Sequence, residues 1–134
     1  MDFRLEVVVV PVADVDRAKA FYADQAGFHV DHDEQVSDDL RVVQLTPPGS
    51  ACSIAIGTGL AKMEPGTMGG LQLVVTDMEA ARAELVGRGV SVSEIQELGR
   101  EGRPGFKFAF FSDPDGNDWA VQELPVQAKT KDQE

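Results

Sequence analysis

One pattern is written twice along this chain, and that duplication constrains the fold more than any other feature. Asp14-Val15-Asp16-Arg17-Ala18-Lys19-Ala20-Phe21-Tyr22 is answered by a stretch that begins at Asp77, 63 residues on, and aligns Asp16 with Glu79, Ala18 with Ala81 and Ala20 with Ala83. Each stretch opens on an aspartate, whose carboxylate can accept from the exposed first-turn amides of a helix. Val15, Ala18 and Tyr22 recur at i, i+3 and i+7, and Met78, Ala81 and Leu85 repeat that spacing, so each stretch has one apolar helical face. A short β-branched segment precedes each helix, Leu5 to Val12 in the first copy and Leu71 to Val75 in the second. A hairpin pattern follows each. Self-similarity at a nearly fixed offset marks an internal repeat.

The second hairpin is the clearer of the two. Phe108-Ala109-Phe110-Phe111-Ser112 and Trp119-Ala120-Val121-Gln122 are joined by Asp113-Pro114-Asp115-Gly116-Asn117-Asp118. Pro114 presets φ at the first central turn position, Asp113 can bond the amides ahead of it, and Gly116 tolerates positive φ. Val42 to Ser50, with Pro47-Pro48-Gly49, has the same plan. In the first copy Gly27 ends the helix, Phe28 to His32 starts a second strand, Ser37-Asp38-Asp39 forms a loop, and Leu40 to Leu45 and Ala51 to Ile56 are the last strands. In the second copy Gly87 and Gly89 end the helix before Val90-Ser91-Val92, and Lys107 to Phe111 and Trp119 to Glu123 close the module. The expected organisation is a first βαβββ module over 1–57, a linker over 58–69, a second module over 70–124 and a frayed tail over 125–134, all within one compact domain.

Composition narrows the function classes. Twelve Lys and Arg against 23 Asp and Glu leave a net charge of −11, a field that repels nucleic acid and anionic membrane surfaces. The longest apolar run, Val7 to Ala13, is far below the roughly 20 residues a membrane helix needs. Met1-Asp2-Phe3-Arg4 has no basic region followed by an apolar stretch, and Cys52 has no second cysteine to pair with. A cytoplasmic setting is therefore expected.

Two βαβββ modules, the Asp-capped helix at Asp14 and the Asp113-Pro114-Asp115-Gly116-Asn117 turn together resemble the vicinal oxygen chelate superfamily, the group of glyoxalase I, bleomycin-resistance proteins and extradiol dioxygenases. The resemblance spans about residues 3 to 124. It implies an α+β fold in which tandem βαβββ modules curl mixed sheets around a cup, commonly in a homodimer. It also implies four metal-ligand positions, which fall here on Val7, Ser53, Gly70 and Ala120. Divalent first-row ions take three or four imidazole, carboxylate or thiolate ligands, and these residues offer one hydroxyl. No metal and no other cofactor is expected.

Strand alternation predicts which side chains would line a cup. Gln72 and Val74 share a face with Gly70, Asp118 and Gln122 with Ala120, and Ala51 and Ala55 with Ser53. Gln72, Gln122, Ser53 and Phe108 are the expected ligand-binding residues, on a lining otherwise small and apolar. The competing reading is that the glutamines bond each other and fill the cup. His29 and His32 fall on opposite faces of a regular strand, with His32 beside Phe28 and Val30, which makes His32 the one candidate for acid–base work. Arg100 and Arg103, in a loop over Leu98 to Gly105, and Lys107 form a basic cluster. Trp119 and Phe21 read as core, and Cys52 as a small buried hydrophobe. The predicted function is metal-free binding of a small organic ligand. The alternative is a metal-independent lyase or isomerase acting on a small oxygenated metabolite.

Overall fold

Asp14 and Asp77 begin the two helices as caps. Asp14 Oδ1 accepts from Arg17 N and Asp77 Oδ1 from Ala80 N, each at 3.1 Å, which satisfies a first-turn amide in both repeats. The computed structural model describes residues 1–99 and 105–124. They divide into two units, one of Met1–Gly69 with Asp113–Asn117, the other of Gly70–Ser112 with the chain from Asp118 onward. The expected tail over 125–134 and the expected loop arginines Arg100 and Arg103 lie outside the described residues.

In the first unit β1 (Val7–Val9) leads to α1 (Val15–Ala20), then β2 (His29–Ser37), β3 (Leu40–Thr46) and β4 (Ser53–Thr58). The sheet order is β1-β4-β3-β2, with β1 parallel to β4 and the other pairs antiparallel. Tyr22, Val43, Leu45 and Ile56 are fully buried in its core. The predicted three-turn helix is α1 followed by a wide π-helical turn over Phe21–Gln25, closed by Ala26 N to Phe21 O at 2.9 Å. Gly27, at φ 81°, then turns the chain so that Phe28 N reaches Tyr22 O.

The first strand is shorter than its sequence suggests. Leu5 is 80% exposed, because β1 has a single neighbour and the pairing with β4 begins only at Val7 opposite Ser53. At the far end β4 runs on to Thr58, through Gly57, where a Cβ would collide with the Arg41 carbonyl of β3. The loop expected over Ser37-Asp38-Asp39 is present as a two-residue turn at Asp38 and Asp39, because β2 runs on through Ser37.

The turn over Asp113–Asn117 completes this unit with a buried polar knot. Asp113 Oδ1 accepts from the amides of Asp115 and Asn117, and Oδ2 accepts from the Tyr22 hydroxyl and Asn117 Nδ2, both at 2.7 Å. Asn117 Nδ2 also donates to Pro11 O at 2.8 Å, and its Oδ1 accepts from Met68 N. A charged side chain only 5% exposed is tolerated because four donors converge on it. Gly116 has φ 100°, as the turn chemistry requires.

The second unit repeats the order as β5 (Leu71–Val75), α2 (Met78–Gly87), β6 (Gln96–Leu98), β7 (Phe106–Ser112) and β8 (Asp118–Glu123). Its sheet runs β5-β8-β7-β6, again with one parallel pair, β5 and β8. Met78, Leu85, Val90, Ala109, Phe111 and Trp119 are buried in its core. Val90-Ser91-Val92, which follow the helix where a βαβββ module would begin its next strand, form none. Val90 drops into the core, and Ser93 grips β7 from both sides, its amide on Phe110 O and its hydroxyl on Phe110 N. The ladder with β7 starts only at Gln96 opposite Phe108.

Candidate functional site

The two faces of the second sheet differ sharply in chemistry. One carries Phe111 and Trp119, stacked with centroids 5.9 Å apart, and Trp119 is 3% exposed. The other is set by register. Gln72 of β5 stands opposite Ala120 of β8, which stands opposite Phe110 of β7. The next row is Val74, Gln122 and Phe108, and on the other side Asp118 pairs with Ser112. Period-two geometry puts these rows on one face. A hollow of about 740 Å³ lies there, lined by Gly70, Gln72, Phe110, Ser112, Asp118 and Ala120, with Ser91 and Trp119 also touching it.

The hollow has an aromatic wall and a polar end. Phe110 is 41% exposed and stacks on Phe108, with centroids 6.2 Å apart and ring planes 2° from parallel, and Phe106 continues the row at 6.3 Å. Ser112 Oγ donates to Asp118 Oδ1 at 2.8 Å. Ala120 keeps the floor low, since any larger side chain there would stand between Gln72 and Phe110.

Of the residues the sequence singled out, Gln72 lines the hollow. Gln122 and Phe108 lie one row along the same face, half-buried, with Phe108 touching the lining through Phe110. Ser53 belongs to the first unit, where it is 6% exposed and its hydroxyl lies 2.6 Å from Thr46 Oγ1, which also bonds Asp31. His32 is exposed on β2 opposite Gln44. The sequence expectation that the histidines face opposite ways does not hold. A bulge between Val30 and His32 sets His29 opposite Thr46 and His32 opposite Gln44, two positions apart on one face, while Val30 faces Leu45. Cys52 is half-buried. Lys107 pairs with Glu79 at 3.2 Å, whose carboxylate holds the ammonium above its ordinary pKa.

Asp118, Ser112 and Ser91 enter the lining although they were not singled out. Alternation from Ala120 already put Asp118 on this face; nothing in residue type marked Ser91, which sits beyond the helix in irregular chain.

The metal-ligand positions implied by the resemblance hold no ligand set. Val7 and Ala120 are apolar, Gly70 has no side chain, and the Ser53 hydroxyl is engaged with Thr46. The ladders also move one position: Val8 pairs with Ile54 and Leu71 with Trp119, so Ala120 corresponds to Ala55 rather than Ser53. Ala55 offers no donor either. Among the described residues, Asp77, Glu79 and Glu123 bring three carboxylate oxygens within 4.8 Å of one another. They serve the start of α2 instead, with Glu123 accepting from Met78 N and Glu79 paired to Lys107.

These features have close parallels. Residues 4–121 match the model of the Glyoxalase/Bleomycin resistance protein/Dioxygenase superfamily, and the chain belongs to that family. Among solved structures it resembles TnmS3, an antibiotic binding protein from Streptomyces sp. CB03234, at 31% identity and TM-score 0.76, over 92% of this chain and 98% of that one. A glyoxalase/bleomycin resistance protein from the same Streptomyces is 35% identical at TM-score 0.70, covering 88% and 98%. A superfamily member from Sphaerobacter thermophilus DSM 20745 is 28% identical at TM-score 0.78, covering 92% and 98%. No protein with a curated description matches the sequence.

Proposed function

We propose that this chain is a binding protein that holds a small organic molecule in the hollow on the second sheet, without a metal ion. One observation carries this reading. The hollow is large enough for a drug-sized ligand and pairs an exposed aromatic wall with a few fixed polar groups, the usual make-up of a ligand site. Gln72 is the hydrogen-bonding residue, and Gln122 and Phe108 extend the same face; Ser53 is a polar point on the first sheet. The antibiotic-binding character of TnmS3 supports a sequestering role. The donor-poor residues Val7, Gly70, Ala55 and Ala120 support independence from metal. In the same proposal the protein works in the cytoplasm as a homodimer, whose second copy shields apolar side chains such as Val74, 61% exposed.

A thermal-shift screen of polycyclic aromatic compounds, with and without divalent ions, tests the proposal. A ligand at 100 times its Kd should stabilise the fold by about 2.7 kcal/mol, equally in a chelator. Elemental analysis that finds one Zn, Ni, Fe or Mn per dialysed chain would overturn the metal-free part. Light scattering reports the dimer.

A further inference from the structure

We infer that the ligand of this hollow is an organic cation, with a basic nitrogen held by Asp118 and a planar body laid against Phe110. The inference rests on the binding role proposed for the hollow and names the chemistry of its occupant. Among the described residues Asp118 is the one ionisable group in the lining, which otherwise consists of amide, hydroxyl, aromatic, aliphatic and small residues. Its carboxylate is exposed, and among the described residues no lysine, arginine or histidine pairs with it. Ser112, its cross-strand partner, donates to Oδ1 and so holds the carboxylate beside the hollow that both residues line. A carboxylate placed beside an apolar wall, with no cation among the described residues to neutralise it, favours a ligand that brings the positive charge. Phe110 adds to the same preference. Its ring is exposed and stacked in a parallel row with Phe108, and the face of an aromatic ring attracts cations as well as flat ring systems. The net charge of −11 steers cations toward the protein at large, whereas Asp118 and Phe110 give that attraction a place.

Three fluorescent probes of similar size separate the contributions: 9-aminoacridine, a planar cation; 9-anthracenemethanol, neutral; and anthracene-9-carboxylate, an anion. Titrated into the full chain, the cation should bind about tenfold or more tightly than the neutral probe, and the anion most weakly. Asp118→Asn should bring cation and neutral probe to within about threefold of each other. Asp38→Asn removes one charge from the β2–β3 turn of the other unit and should leave the preference intact, which separates the local carboxylate from the overall field. Phe110→Ala should weaken every probe. A cation preference that survives Asp118→Asn, or one that Asp38→Asn abolishes equally, overturns the inference. Equal binding of all three probes, still lost in Phe110→Ala, also overturns it but leaves the proposed binding function standing. No binding of any probe overturns both.

Discussion

The Tyr22 hydroxyl donates to Asp113 Oδ2 at 2.7 Å, joining two residues 91 positions apart in a site where neither is more than 5% exposed. Removing that donor leaves a buried carboxylate oxygen with one partner fewer. Tyr22→Phe should therefore lower unfolding stability by about 1–3 kcal/mol, measured by urea denaturation. In a double-mutant cycle with Asp113→Asn the two substitutions should couple by about 0.5–3 kcal/mol, and strict additivity would show that the bond contributes nothing.

Gly116 isolates the effect of backbone conformation. A Cβ built there would approach nothing nearer than Gly66 O at 3.9 Å, an ordinary contact, yet φ is 100°. Gly116→Val should destabilise by about 1–3 kcal/mol through torsion alone, and Gly116→Asn by less, because asparagine visits positive φ more readily. If both variants unfold at the parent's urea midpoint, the strain argument fails.

Asp33 ties stability to pH. Arg41 grips both carboxylate oxygens, Nε on Oδ1 at 3.0 Å and Nη2 on Oδ2 at 2.8 Å, and Lys19 adds a third bond at 2.9 Å. These bonds, Arg41's first, hold the Asp33 pKa well below the ordinary carboxylate range in the folded chain. A depressed folded pKa means the stabilisation is complete above the unfolded value near 3.9 and drains away as pH falls below it. Asp33→Asn should thus lose about 1 kcal/mol at pH 7, and the gap to the parent should narrow steadily below about pH 4. A gap that stays constant from pH 7 to pH 3 would mean that the pair carries no net stabilisation.

Gln72 and Trp119 share the lining of the hollow but should fail in opposite ways. Gln72→Leu should weaken an aromatic ligand found by screening about ten- to a hundred-fold, with melting temperature nearly unchanged, since the side chain is exposed. Trp119→Ala should remove about 3–5 kcal/mol of stability, because its ring fills the core beside Phe111. Calorimetry on the same samples reads both. If Gln72→Leu unfolds the chain and leaves affinity per folded molecule intact, the glutamine is structural.

Local chemistry was legible in the sequence wherever a residue acts on its immediate neighbours. Asp14 and Asp77 as caps and Gly116 at positive φ follow from what their side chains do to adjacent amides. The family and the tandem βαβββ architecture followed from the repeat of those signals. Features that depend on a distant partner were hidden. Nothing in Val30-Asp31-His32 announces a bulge; it exists because β3 supplies one residue fewer than β2 over that span, and it reverses the face on which His32 stands. Ser91 joins the lining because Ser93 is hooked onto Phe110, a contact with no period to betray it. Asp118 was placed on this face by alternation, but that no cation among the described residues pairs with it is a property of three-dimensional neighbours, not of spacing.

The assignment of Asp113–Asn117 to the first unit has a consequence for synthesis on the ribosome. The hydrogen bonds that join Asp113 to Tyr22, and Asn117 to Pro11 and Met68, can form only after Asn117 has emerged, although the rest of that unit is complete at Gly69. At roughly 5–20 residues per second, those intervening residues take about 2–10 s to add. For that interval the N-terminal half exists as an unfinished fold with its inner polar ring open. Vectorial folding, which ordinarily lets a leading segment settle before the next is made, is here held back by a five-residue turn that is made within the second repeat.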